Sequence, residues 1–137
     1  MTRKILKTLT ASLVAATIGS AALTLPAAAG GSISLTYVPT TAEDAQALQT
    51  GLALYALFNG IQNGSITQLG MNNAAGLAQL GSGNLGIIHQ EGNNHNATLT
   101  QTGNNNSCGI FQFGQNTNTN ITQSGNNGAC ASLAFGW

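Results

Sequence analysis

Few side chains in this 137-residue sequence could do chemistry, and their spacing does not bring them together. Glu43, Asp44 and Glu91 are the only carboxylates, and Arg3, Lys4 and Lys7 are the only cations. So scattered a set offers no convergent nucleophile, base and acid, and no enzyme is expected. His89 and His95 lie six residues apart. On strands His89 faces out and His95 faces in, so the two do not converge on one metal. Gly81-Ser82-Gly83-Asn84-Leu85-Gly86 fits G-x-G-x-x-G, but no strand-to-helix context surrounds it and a repeat accounts for each glycine. No cofactor is expected. Charged residues make up 4% of the chain, against about 25% in an average soluble domain. With no Lys or Arg after Lys7, nothing remains to neutralise nucleic-acid phosphates or to hold anionic lipid. Cys108 and Cys130 are the remaining reactive groups.

The chain divides into four parts. Residues 1–29 read as an export signal: a cationic start, an apolar stretch from Leu9 to Leu25, and Ala27-Ala28-Ala29 ahead of Gly30. Cleavage there leaves no stable membrane insertion and an exported chain whose only charges are Glu43, Asp44 and Glu91. Residues 30–60 form a leader. Within it Thr41 and Asp44 match the S/T-x-x-acid start of a helix. Ala45, Leu48, Leu52, Tyr55 and Phe58 recur at spacings of three or four, which predicts a helix over 42–58. Gly51 weakens it, and a flexible leader is the alternative. Residues 61–127 form a repeat array, and residues 128–137 a degenerate terminal strand or cap.

Gln68, Gln79, Gln90, Gln101, Gln112 and Gln123 are spaced by eleven without exception. Two residues after each stands a glycine: Gly70, Gly81, Gly92, Gly103, Gly114 and Gly125. Two residues before each stands Ile66, Leu77, Ile88, Leu99, Ile110 or Ile121. Four before, the residues separate into a column of Gly64, Gly86, Cys108 and Cys130 and one of Ala75, Ala97 and Thr119, so the full period is twenty-two.

Each unit has the form of a strand and a tight turn. In His95-Asn96-Ala97-Thr98-Leu99-Thr100-Gln101, alternation sets His95, Ala97, Leu99 and Gln101 on one face. Thr102-Gly103-Asn104-Asn105 then makes the turn, where Gly and Asn tolerate positive φ. Two units close one rung, which predicts an all-β fold: a short, flattened β-solenoid of three rungs, about 4.8 Å apart. The apolar interior, one Ile or Leu and one small residue per strand, is thin. Inward amides are expected to supplement it by bonding to each other along the stack. These are the six glutamines with Asn73, Asn84 and Asn106; His95 and Thr117 replace the amide in two units, and Gly128 ends the run. Both end strands are expected to leave unpaired N–H and C=O groups, templates for another copy. From Gln62 to Trp137 no Lys, Arg or Pro blunts them, and Glu91 is the single acid.

Here the sequence resembles the curlin family, the repeat subunits of bacterial amyloid fibres. Gln68-x4-Asn73-x5-Gln79, Gln79-x4-Asn84-x5-Gln90 and Gln101-x4-Asn106-x5-Gln112 match its spacing, with Ala75 and Ala97 at the family's alanine. The family's leading serine is displaced, at Ser65 and Ser107. The resemblance implies a secreted structural subunit that passes an outer-membrane secretion pore with accessory factors, meets a nucleator subunit, and polymerises with itself into extracellular curli for biofilm matrix, adhesion and cell aggregation. It implies a secretion role for part of the leader. The lack of cations in the array favours the major, polymerising type over the minor, nucleating type.

Three features stay open at this level. Cys108 and Cys130 share an inward column one rung apart, which fits either a disulfide or two small buried thiols. Ser132 and Ala134 stand where Ile and Gln belong, while Ala129, Ala131, Leu133, Phe135 and Trp137 alternate as a strand of opposite phase, a cap or a docking surface. A soluble β-solenoid that binds ice or polysaccharide is the alternative function. It needs a flat outward array, which Ala78, Ile87, His89 and Phe111 interrupt.

Overall fold

The structure is a computed structural model that describes residues 30–137, so the expected signal peptide lies outside the described residues. In chain order the elements are β1 (Ser32–Tyr37), α1 (Ala42–Phe58), β2 (Gly64–Leu69), β3 (Ala74–Leu80), β4 (Leu85–Asn93), β5 (Asn96–Thr102), β6 (Ser107–Gln115), β7 (Asn118–Ser124) and β8 (Ala129–Gly136). Strands β2 to β8 wind as a β-solenoid. The even-numbered strands stack parallel in one sheet, with β1 at its edge in the order β1-β8-β6-β4-β2; β3, β5 and β7 form the facing sheet. Every parallel pairing joins residues 22 apart, as in Ile88↔Ile110, Gln101↔Gln123 and Cys108↔Cys130. A one-residue slip would turn each inward set to solvent, so the column pattern fixes the register.

Between the sheets lie Ile88, Ala97, Leu99, Cys108, Ile110 and Cys130, all buried, with Ala75, Leu77 and Ile121 packed against them. Ile66, expected in this core, faces inward opposite Ile88 but is 43% exposed. The reason is positional: β2 is an edge strand, and nothing covers its outer side. The Gly-to-Cys change along the other inward column also has a packing cause. A Cβ at Gly64 or Gly86 would overlap the Leu77 side chain, whereas further along the coil there is room for Cys108 and Cys130, which are joined as a disulfide with Cα atoms 4.5 Å apart.

Each turn carries two left-handed residues. The glycine two after each Gln has φ between 86° and 127°, and the residue four after it, Asn72, Gly83, Asn94, Asn105, Asn116 or Asn127, has φ between 55° and 68°. The asparagine column escapes a reading that stops at the glycines, because Asn is abundant throughout the array. Its function is the one Asn performs well, occupying αL at modest cost.

Helix α1 spans the expected residues. Thr41 Oγ1 accepts the Asp44 N–H at 3.1 Å and so caps the first turn. The helix lies against β6 and β8. Leu52 and Ala56 are buried with Ile87, and Leu48, Tyr55, Ile61, Leu85 and Phe111 surround them. Tyr55 meets Phe111 edge-on, with centroids 5.5 Å apart. Gln49 Nε2 donates to the carbonyls of Asn105 (3.3 Å) and Gly128 (3.1 Å), tying the helix to two successive turns. Phe58, placed in the apolar stripe by spacing alone, is instead 84% exposed. The stripe continues through Ala56, whose small side chain permits close approach to the sheet.

Candidate functional site

The chemistry of this molecule lies in amides stacked along the coil. Gln68 Nε2 donates to Gln90 Oε1 and Gln90 Nε2 to Gln112 Oε1, each at 2.8 Å. Across the coil Gln79 Nε2 donates to Gln101 Oε1 at 2.8 Å and Gln101 Nε2 to Gln123 Oε1 at 2.9 Å. The second amide hydrogen reaches a carbonyl of the opposite side: Gln79 to Asn63 (3.1 Å), Gln90 to Ala74 (2.9 Å), Gln101 to Leu85 (3.2 Å) and Gln112 to Asn96 (2.9 Å). Gln90, Gln101 and Gln112 have no solvent exposure. Among the described residues no buried side-chain nitrogen or oxygen lacks a partner. Gln101→Leu would remove the acceptor of Gln79, the donor to Gln123 and the donor to Leu85 at once. Each orphaned buried group costs about 1–3 kcal/mol, so denaturant unfolding of residues 30–137 should show a loss of about 2–4 kcal/mol. Gln68→Leu, at the open edge, should cost about 1 kcal/mol or less.

The asparagines behave differently from expectation. Asn73, Asn84 and Asn106 do not bond side chain to side chain; they bridge to the backbone of the next rung. Asn84 Oδ1 accepts the Asn106 N–H at 3.0 Å while its Nδ2 donates to the Gly103 carbonyl at 2.8 Å. Asn73 does the same to His95 (3.0 Å) and Gly92 (2.9 Å), and Asn106 to Gly128 (2.9 Å) and Gly125 (2.7 Å). The left-handed turns aim peptide groups into the coil at these corners, and the shorter Asn side chain reaches them first. His95 continues the Asn73 column, with Nδ1 2.7 Å from Thr117 Oγ1. Outside the coil Asn93, Asn104 and Asn126 accept N–H bonds from Met71 (2.9 Å), Ser82 (2.9 Å) and Asn104 (2.8 Å), a further ladder that the sequence reading passes over. The column three after each Gln is its signal.

The glutamine ladders have a direction. Every Nε2 points toward the C-terminal end, so Gln68 and Gln79, which start the two ladders, each have an unused Oε1, and Gln123 has an unused Nε2, among the described residues. Gln112 meets Ala134 in the next position, and its Nε2 turns to Thr119 Oγ1 at 3.2 Å.

The two ends of the coil are unequal. β2, β3 and β7 present unpaired outer edges, but β8 does not. Strand β1 lies antiparallel along it, from Ser32↔Gly136 to Tyr37↔Ala131, with Thr36 Oγ1 3.0 Å from Ser132 Oγ. The expectation that both end strands are open therefore fails at β8, because the leader folds back on it. Nor is β8 out of phase: Cys130 and Ala134 continue the inward columns of Cys108 and Gln112. What inverts is the apolar face. Ile33, Leu35 and Tyr37 lie level with Phe135, Leu133 and Ala131 on the outer side, and Phe113 stacks on Phe135 with centroids 5.4 Å apart.

The groups suited to a conventional site stay apart. His89 and Glu91 face outward with 3.8 Å between Nε2 and Oε2, while His95 is buried. No cluster of His, Cys, Asp or Glu among the described residues could hold a metal. Gly81 and Gly83 lie in a turn and Gly86 in β4, with no helix following. No helix among the described residues is long and apolar enough to cross a membrane.

The curlin associated repeat matches the chain twice, over residues 70–103 and 82–114, the stretch that forms the middle of the solenoid. No curated protein and no solved structure matches the chain. Over that stretch the chain carries curlin repeats, and these repeats with the 22-residue coil support a curlin-family protein, a curli-type structural subunit in a family of fibre subunits rather than enzymes.

Proposed function

We propose that this chain is the polymerising, major-type subunit of an extracellular curli-like amyloid that serves biofilm matrix, adhesion and cell aggregation. The observation that carries the reading is the unfinished ladder ends, Gln68 Oε1 and Gln79 Oε1 at one end and Gln123 Nε2 at the other. They are set on edges without Lys, Arg or Pro from Gln62 onward. An acceptor at one end and a donor at the other suit a second copy of the same chain, and the lack of charge removes the usual barrier to edge pairing. Export through residues 1–29, a secretion role for part of residues 30–60, an outer-membrane pore with accessory factors and a separate nucleator subunit complete the proposal. Purified residues 30–137 should assemble on incubation into fibres with cross-β reflections near ~4.7 and ~10 Å. A persistent monomer would overturn the reading.

A further inference from the structure

The coil holds an odd number of strands, and this decides how two copies can meet. Counting from β2, one sheet contains β2, β4, β6 and β8, but the other only β3, β5 and β7. The C-terminal end is therefore stepped by half a rung. If the fibre reading is right, a second copy must fit that step. Added in the same orientation, its β2 would lie on β8 and its β3 would be held one strand too far from β7. That leaves a gap of about two strand spacings, ~9.6 Å, with backbone groups unpaired on both sides.

We propose that successive copies join rotated by half a turn about the fibre axis, so that β2 of the incoming copy adds to β7 and its β3 adds to β8. This orientation fills the step and continues the eleven-residue unit order without a break. It also joins one of the two ladders. Gln123 Nε2, the free donor, comes level with Gln68 Oε1 of the incoming copy, a free acceptor, and the ladder continues with its direction kept. Ile121 covers the exposed Ile66 of the incoming copy, and Thr119 lies level with its Gly64. Ser132 and Ala134 meet an inward Leu or Ile and a Gln in either orientation, Ile66 and Gln68 when unrotated and Leu77 and Gln79 when rotated; only the rotated orientation also sets Gln68 on Gln123 and Ile66 on Ile121. The turn glycines agree: Cβ atoms added at Gly81 and Gly103 would overlap the next turn's carbonyl, whereas at Gly125 nothing lies within 4 Å. Gly125 is thus the vacant seat for the turn of the incoming copy that contains Gly70. Because β1 occupies the outer edge of β8, β3 of the incoming copy takes that edge as β1 leaves it.

Cross-linking at the junction tests this. The outward neighbours of Gln123 and Gln68 are Thr122 and Thr67, which the rotated junction places side by side; the unrotated junction pairs Thr67 with Leu133 instead. The buried Cys108–Cys130 bond shows that parallel in-register neighbours in this coil can form a disulfide. Fibres of the Thr67→Cys/Thr122→Cys double variant, oxidised and dissolved without reductant, should run as a ladder of covalent oligomers. Fibres of Thr67→Cys/Leu133→Cys should not. The reverse pattern, or fibres of both variants without cross-links, would overturn the rotated junction while leaving the fibre reading intact. Failure of the native chain to form fibres would overturn both. Fibre images should show a rise of ~17 Å per copy and a true repeat of ~34 Å, from three and a half rungs of about 4.8 Å.

Discussion

Deleting residues 30–38, and with them β1, should shorten the lag of assembly and raise elongation about tenfold. β1 holds the β8 edge by backbone ladder bonds, one hydroxyl pair between Thr36 and Ser132, and reciprocal bonds between Gly31 and Trp137 at 2.9 Å. Most of its side chains remain exposed. An element with so little burial opens at a small fraction of the global unfolding energy. If opening costs about 1.4 kcal/mol, one monomer in roughly ten presents a free β8 edge, and elongation is slowed by that fraction. Fixing the cap gives the opposite result. Leu35 and Leu133 are directly opposed on the outer face, so a Leu35→Cys/Leu133→Cys disulfide should arrest growth at that end. Thioflavin-T kinetics with preformed seeds would measure both. An unchanged lag on deletion, together with normal growth of the locked form, would show that β1 does not guard the edge.

The cap illustrates which parts of this molecule are legible in its sequence. The register of β2 to β7 is legible because one side chain in each unit, Gln68 and its successors, recurs without exception, and stacked identical residues are what a 22-residue coil requires; β8, with Ala134 in that place, is legible only from Cys130. The helix is legible from Thr41 and Asp44, since a cap is a local interaction. β1 is not. Its six residues pair with a strand some hundred positions away, and Ile33, Leu35 and Tyr37 alternate too briefly to name a partner. The docking of α1 left a trace that is plain only once the coil is built. Ile87 and Phe111 point outward where other units carry polar or small residues, and they are the seat of Leu52 and Tyr55. Gly109 belongs to the same seat, since a Cβ there would press on Leu52. The asparagine bridges are illegible for a different reason: side-chain amides compete for whichever groups the turn presents, and turn peptide orientation depends on φ values that composition does not specify.

Two glycines in one column should respond to the same substitution in opposite ways, and the difference isolates assembly from folding. Gly103 and Gly125 have nearly equal φ, 113° and 112°. Alanine strains the backbone at both, by about 1–3 kcal/mol. At Gly103 the added Cβ also overlaps the Gly125 carbonyl within the same molecule. Gly103→Ala should therefore lose about 3 kcal/mol or more in denaturant unfolding, through a steric conflict with backbone that cannot move without breaking the ladder. At Gly125 the same Cβ points into open space. The Gly125→Ala monomer should fold, with only the backbone strain to bear. Its conflict arises when a second copy arrives, because the carbonyl that Gly103 meets within the molecule is then supplied by the incoming turn. Seeded elongation of Gly125→Ala at the C-terminal end should fall tenfold or more, while its unfolding midpoint moves far less than that of Gly103→Ala. Growth of Gly125→Ala at the rate of the native chain would mean that no copy seats on this turn, and the junction would have to lie elsewhere.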